Sequence, residues 1–168
     1  MSKAFTRESD DAGADEILSI PPRLSGTRNY ITREGADRLG QRLLDLREER
    51  RVLAEQVENP NTRPALKRLD LECQKLQSSL DSAIIVEPPS DREKVALGAW
   101  VRVQDDDGDE ETYQIVGVDE ADPSQGRISS ASPLARVLLT RRAGERVQFQ
   151  IPAGQRELTI LSVSYESP

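Results

Sequence analysis

Two runs of leucine at coiled-coil spacing constrain the fold of this 168-residue chain more than any other feature. Apolar side chains and one arginine recur every three or four residues in the first run, at Leu39, Leu43, Leu46, Arg50, Leu53 and Val57. The same spacing recurs in the second run, at Leu66, Leu69, Cys73, Leu76, Leu80 and Ala83. Alternating steps of three and four put such side chains on one face of a helix. The runs therefore predict helices over 32–57 and 64–84.

The segment between the two runs, "VENPNTRPALK", is short and contains two prolines. Pro64 suits the first turn of a helix, where its missing N–H would have no partner. A short connection between two such helices predicts an antiparallel coiled-coil hairpin with arms of about 39 Å. Thr32 is the expected N-cap of the first arm. Gly35 and Gly40 lie in the first turns, where each costs roughly 1 kcal/mol relative to alanine.

After Pro88 and Pro89 the apolar period changes from that of a helix to two. The segments 99–104 ("AWVRVQ") and 112–118 ("TYQIVGV") alternate and flank the acidic run "DDDGDEE". This pattern predicts a β-hairpin with Asp-Gly near its turn. The acidic run lacks the spacing of an EF-hand loop, so a solvated turn is the expectation.

The remaining C-terminal segments complete a small sheet. "GRISS" reads as a short strand, and "SPLARVLL" as a helix capped by Ser132 with Pro133 in its first position. Two further strands are expected over 146–151 and 156–165. The predicted fold class is α+β, with an N-terminal coiled-coil hairpin and a C-terminal antiparallel sheet with one short helix.

Composition excludes several classes of function. Residues 85–168 carry nine basic and 15 acidic side chains, a net charge of −6, which argues against general affinity for nucleic acid. The chain has no histidine, and its single cysteine, Cys73, belongs to the apolar seam. The absence of histidine removes the commonest general base and the commonest zinc ligand. We expect no catalytic residues, no metal site and no cofactor. Since no apolar run reaches the ~20 residues of a membrane span and no secretory signal is evident, we expect a cytoplasmic protein without membrane contact.

At this point several segments resemble a known family. "YITREGADRL" is similar to the opening of the first helix in the bacterial GreA/GreB transcript-cleavage factors. "LGAWVRVQDDDGDEETYQIVGVDEAD" and "ISSASPLARVLLTRRAGERVQFQIPAG" resemble their C-terminal domain, most of all that of GreB. The resemblance covers about residues 30–166. It implies a coiled coil over 30–87 and an FKBP-like domain over 97–166. Pro88 and Pro89 predict a semi-rigid linker over 88–96, and residues 1–29, rich in Asp, Ser, Gly and Pro with no sustained period, are expected to be a disordered tail.

The resemblance also implies a partner. In the family the coiled coil enters the secondary channel of RNA polymerase, while the C-terminal domain binds the channel rim. The positions expected to face polymerase are Asp119, Glu120, Asp122, Ser132, Pro133 and Arg136. We expect a monomer, with nucleic acid contacted only indirectly within the elongation complex.

The hairpin tip departs from the family pattern. The family carries an acidic pair in "GD-x-x-EN-x-x-Y", which helps to hold a second Mg²⁺ that activates water for RNA cleavage. The corresponding tip here offers Glu58, Asn59, Asn61 and Arg63, and Glu58 is its only carboxylate. Each arm is also about two turns shorter than in the family, a loss of reach on the order of 10 Å. We therefore expect a non-enzymatic polymerase regulator that does not stimulate cleavage.

Two alternatives remain open from the sequence. Glu58 acting together with polymerase carboxylates would make the chain an active cleavage factor. A coiled coil that pairs between molecules would instead make it a binding module for another protein, since Arg50 leaves the register of the seam uncertain.

Overall fold

A computed structural model describes residues 28–56 and 61–167. The predicted N-terminal tail falls almost wholly outside this part of the chain, as do Glu58 and Asn59. The described residues form a helical hairpin, a two-stranded ribbon at its base and a five-stranded C-terminal sheet with a short helix. The α+β fold class is therefore confirmed.

The helical hairpin consists of α1 (Arg33–Ala54) and α2 (Thr62–Asp81). Leu43, Leu46 and Leu69 are its buried leucines, as the seam spacing predicts. The first arm ends three residues earlier than expected, and the second begins two residues earlier. The leucine pattern thus located both arms and placed their ends within about one turn.

Polar contacts also join the two arms. Arg50, the polar member of the predicted seam, lies at the surface and forms an ion pair with Asp70 of the other arm. Arg42 forms a second cross-arm pair with Glu72 at 3.0 Å. At the far end, the hydroxyl of Thr62 donates to the carbonyl of Gln56 at 2.8 Å. This last bond holds together the described residues on either side of the tip.

Two strands that the sequence did not predict lie at the base of the hairpin. β1 (Asn29–Thr32) pairs in parallel with β2 (Ala83–Val86), and Ile31 of β1 is completely buried. Ala83, expected as the last member of the second seam, belongs to β2 instead, because α2 ends at Asp81. The ribbon fastens the start of α1 to the end of α2.

The C-terminal sheet has the strand order β5-β4-β3-β7-β6. Its elements are β3 (Trp100–Asp105), β4 (Glu110–Val116), β5 (Arg127–Ser129), α3 (Pro133–Leu138), β6 (Arg146–Ile151) and β7 (Gly154–Ser164). Neighbouring strands are antiparallel except β4 and β5, which run parallel. The predicted antiparallel sheet with one short helix is confirmed apart from that pair.

One face of this sheet and α3 enclose the hydrophobic core. On β3, Val101 and Val103 are buried while Arg102 between them is exposed, as a period of two requires. Leu134 and Leu138 of α3 pack into the same core. Burying each such side chain contributes about 1.5–3 kcal/mol.

The acidic run between β3 and β4 is a turn. Oδ1 of Asp105 accepts hydrogen bonds from the amides of Asp107 and Asp109, at 3.0 and 2.9 Å. Gly108 has a φ of +89°, a conformation that favours glycine. Across residues 28–56 and 61–167, no group of three or more histidine, cysteine or acidic side chains could hold a metal ion. None of the helices in the same ranges combines the length and apolar character of a membrane span.

Candidate functional site

The base of the hairpin meets the C-terminal sheet around the carboxylate of Glu120, which ends a 3-10 turn (Val118–Glu120) that follows β4. Oε1 of Glu120 accepts from the amides of Thr32 at 2.7 Å and Gly117 at 3.1 Å. Oε2 accepts from the hydroxyl of Thr32 at 2.6 Å. The Glu120 side chain is 0% exposed. These bonds therefore satisfy a buried charge whose desolvation would otherwise be costly.

Thr32 links this carboxylate to α1. Its hydroxyl accepts from the amide of Gly35 at 2.9 Å, so Thr32 is the N-cap of α1, as predicted. The same hydroxyl donates to Glu120. Arg38, one turn further along α1, places Nη2 3.5 Å from Oε2 of Glu120. We call Thr32, Arg38, Gly117 and Glu120 the base joint; it fixes the start of the hairpin to the C-terminal sheet.

Two glycines make this close approach possible. A Cβ at Gly35 would lie 1.8 Å from Oε2 of Glu120, far inside contact distance. A Cβ at Gly117 would lie 2.1 Å from the carbonyl oxygen of Tyr30. Gly40, in the same helix as Gly35, has nothing within 4 Å of its corresponding position. The base joint thus explains why position 35 is a glycine but does not explain the glycine at position 40.

Asp119 joins the same region to the other arm. Its Oδ2 accepts from Nδ2 of Asn29 at 3.3 Å and from the hydroxyl of Ser79 near the end of α2. Nδ2 of Asn29 also donates to the carbonyl of Ser79 at 2.9 Å. Consecutive acidic residues of one turn therefore hold the start of α1 and the end of α2.

The six positions expected to face polymerase fall into three groups. Asp119 and Glu120 contact the hairpin within the chain. Asp122 caps the 3-10 turn Pro123–Gln125, where a hydrogen bond from the Ser124 hydroxyl lowers the pKa of its carboxyl.

The other three positions lie around α3. Ser132 is buried and accepts from the amide of Ala135 at 3.1 Å as the predicted N-cap. Pro133 and Arg136 are exposed on α3. Of the six, these two are the side chains most open to a partner.

Two of the described carboxylates near the hairpin tip have an arginine beside them. Glu55, at the end of α1, pairs with Arg51 at 2.9 Å, and Asp70 on α2 pairs with Arg50. Asn61 and Arg63 are exposed at the start of α2. Glu58 and Asn59 lie outside the described residues.

The base joint was not foreseen from the sequence. Glu120 was expected on the polymerase-facing surface, but its partner Thr32 lies 88 residues earlier in the chain. The one signal available was Gly35 in the first turn of a helix, where glycine is costly, but Gly40 of the same helix has open space around it, so glycine alone does not locate the contact.

Comparison with known proteins agrees with the architecture. The family model described as "Transcription elongation factor, GreA/GreB, C-term" matches residues 89–165. Transcription elongation factor GreB of Pseudomonas aeruginosa is 34% identical over 160 residues, covering 86% of this chain and 95% of the relative. GreA of Chloroflexus aurantiacus is 38% identical over 150 residues, covering 80% of this chain and 96% of the relative.

A solved structure also matches: that of GreA factor homolog 1 (Gfh1) from Thermus thermophilus. The two sequences are 24% identical, and the match covers 82% of this chain and 99% of the Gfh1 chain. Because the TM-score is 0.39, we draw no conclusion from this structural similarity. The assignment rests on the curated relatives, which exceed 30% identity across nearly their whole length. This chain belongs to the GreA/GreB family of transcription elongation factors.

Proposed function

We propose that this chain is a cytoplasmic, monomeric regulator that binds RNA polymerase, docks its C-terminal domain at the rim of the secondary channel and inserts its hairpin there. We propose further that it does not stimulate transcript cleavage and catalyses no reaction itself. Nucleic acid would be met only within the elongation complex. Membership of the family supports the polymerase partner, and the composition of the tip supports the absence of cleavage.

The proposed lack of cleavage rests on how few carboxylates lie near the hairpin tip and on their ion pairs with arginine. Between Gln56 and Leu69 the sequence contains one acidic residue, Glu58. The nearest described carboxylates on the two arms, those of Glu55 and Asp70, are both in ion pairs with arginine. Mg²⁺ binds through several oxygen ligands and gains most from carboxylates that converge on it. A single glutamate, five residues before Arg63 in the sequence, is a poor substitute for such a pair.

The helix α3 is the proposed contact with the channel rim. Pro133 and Arg136 point outward from it, whereas Ser132 holds its first turn. Asp119 and Glu120 would act indirectly, by fixing the direction in which the hairpin leaves the docked domain. Asp122 would shape the turn that precedes β5.

One observation favours a hairpin within the chain over a coiled coil between molecules. The polar seam residue Arg50 finds its acidic partner, Asp70, on the other arm of the same chain. The buried leucines Leu43, Leu46 and Leu69 also lie within one hairpin. An intermolecular seam would have to open these contacts first.

The test uses halted elongation complexes that have been backtracked, with GreB as the positive control. Binding is measured first, by retention of core polymerase on the immobilised chain, so that absence of cleavage cannot result from absence of binding. The chain should bind polymerase and leave the rate of transcript shortening at its unassisted level. Glu58→Ala should behave identically.

The opposite outcome is equally clear. Stimulated cleavage that is lost in Glu58→Ala but kept in Glu55→Ala would establish the cleavage-factor alternative. Absence of polymerase binding, together with a dimer in sedimentation analysis, would establish the binding module.

A further inference from the structure

A basic cleft lies between α3 and β6, in the most acidic part of the chain. It has a volume of about 480 Å³ and is lined by Arg136, Thr140, Arg141, Arg146, Gln148 and Glu157, among others. Three arginines within one cleft contrast with the net charge of −6 over residues 85–168. Three of the nine basic side chains of this segment thus line one cleft, beside a single acidic side chain, Glu157.

The three arginines differ in how far they are already neutralised. Arg141 pairs with Glu145 at 3.3 Å, and Arg146 pairs with Glu157 at 3.2 Å. Arg141 and Arg146 are exposed by half or more, while Glu157 is half-buried; ion pairs with an exposed arginine are weak and can exchange partners. Arg136 is exposed and has no ion pair with any residue in 28–56 or 61–167. It therefore offers a free guanidinium at one side of the cleft.

The backbone of Thr140, which lines the cleft, is held in one conformation. Thr140 has a φ of +72°, a left-handed backbone that is rare for a β-branched residue. Its amide donates to the carbonyl of Val95 at 2.8 Å, and the amide of Val95 donates to the carbonyl of Arg141 at the same distance. Residues are kept in such a conformation only where surrounding contacts impose it. The cleft is therefore already formed before any ligand binds.

We propose that this α3–β6 cleft binds a carboxylate-rich segment of a protein partner, with Arg136 making the leading ion pair. A planar guanidinium matches a carboxylate with two parallel hydrogen bonds. The Thr140 hydroxyl adds a neutral hydrogen-bonding group beside the charge, whereas the Gln148 side chain already donates to Glu157 and accepts from Gln155. The net negative charge of residues 85–168 disfavours acidic segments over much of this domain, so charge complementarity favours binding at this cleft.

This inference rests on the proposed function in one respect, since Arg136 also lies on the surface proposed to contact polymerase. Its own test needs no polymerase. The probe is a fluorescein-labelled octaglutamate peptide, added to the full chain at low salt and followed by anisotropy. Binding should saturate and weaken as salt screens the charges. Amide NMR shifts should concentrate on residues 136–148.

Arg136→Glu should weaken octaglutamate binding at least fivefold, whereas Arg136→Lys, which keeps the charge, should stay within threefold. The matched control is Arg68→Glu, which reverses an exposed arginine on α2 and changes net charge by the same amount. It should stay within twofold of the unaltered chain. Circular dichroism checks that each variant is folded.

Three results would overturn the proposal: no saturable binding, equal weakening by Arg68→Glu, or displacement of octaglutamate by equimolar octauridylate. The last would assign the cleft to phosphates of RNA. Retention of polymerase is measured on the same variants. Polymerase binding without octaglutamate binding would refute only the proposed carboxylate site in the cleft. Octaglutamate binding without polymerase binding would refute only the proposed function as a polymerase regulator.

Discussion

Replacement of Glu120 by alanine is the sharpest perturbation of the base joint. It leaves the buried amides of Thr32 and Gly117 without their acceptor and removes the partner of the Thr32 hydroxyl. Each buried donor left unsatisfied costs about 1–3 kcal/mol. We therefore expect Glu120→Ala to lower the free energy of unfolding by about 3–5 kcal/mol, a large share of the total for a small protein.

Glu120→Gln is the matched control. Its amide oxygen can take the place of Oε1 and accept from both backbone amides, while its NH₂ group donates to the Thr32 hydroxyl. That hydroxyl has room for a second bond as an acceptor beside the one from Gly35. The charge is lost, and with it the acceptor that Oε2 offers to the Thr32 hydroxyl hydrogen and to Arg38, while both backbone amides keep theirs. The expected cost is about 1–2 kcal/mol, clearly below that of Glu120→Ala.

The assay is urea unfolding followed by the fluorescence of Trp100, the single tryptophan of the chain. Amide hydrogen exchange at Thr32 reports opening of the base joint itself, even where the sheet unfolds separately. Glu120→Ala should lower the urea midpoint and speed exchange at Thr32 strongly; Glu120→Gln should change both clearly less. Equal losses in the two variants, or a loss under 1 kcal/mol for alanine, would refute the reasoning from hydrogen bonds.

Three further predictions use the same unfolding assay. Gly35→Ala should destabilise by about 1–3 kcal/mol through overpacking, whereas Gly40→Ala, with open space around it, should stabilise by about 0.5–1 kcal/mol. The hydrogen bond from Arg156 lowers the pKa of Asp105, so its stabilising effect should be present above the unfolded pKa of about 4 and be lost as pH falls below it. Asp105→Asn should therefore be less stable near pH 7 and lose less stability between pH 5 and 3. Thr140→Gly should stabilise by about 1 kcal/mol, because relief of the left-handed strain exceeds the entropic cost of glycine.

Each of these has a clear contrary result. Similar effects of alanine at Gly35 and Gly40 would mean that contact with the buried glutamate does not decide the outcome. An acid unfolding profile unchanged in Asp105→Asn would show that the pair with Arg156 contributes nothing. If Thr140→Ala raised the stability as much as Thr140→Gly, relief of the left-handed backbone conformation could not be the cause.

The sequence predicted those parts of the fold that repeat locally. The leucine seams located α1 and α2, and the alternation of β3, β4, β6 and β7 located most of the sheet. The ribbon of β1 and β2 was missed for a physical reason. Its strands are four residues each and pair across more than 50 residues of chain, and "AIIV" continues the apolar character of the helix before it.

The site was harder to predict because burial of a charge depends on distant partners. Glu120 is an acidic residue in an acidic segment, and such residues are usually exposed. Glu120 is buried because it contacts Thr32, which lies 88 residues earlier in the chain. The caps of α1 and α3, by contrast, lie three residues from the amides they serve, and both were predicted correctly.

The base joint also sets the mechanics of the hairpin. Both helices are held at one end only, so the arm behaves as a lever whose pivot is a handful of hydrogen bonds. An α1 of 22 residues is about 33 Å long, and a rotation of about 10° at the pivot would sweep its free end through roughly 6 Å. Small displacements of Thr32 against Glu120 would therefore steer the tip across the width of a nucleotide.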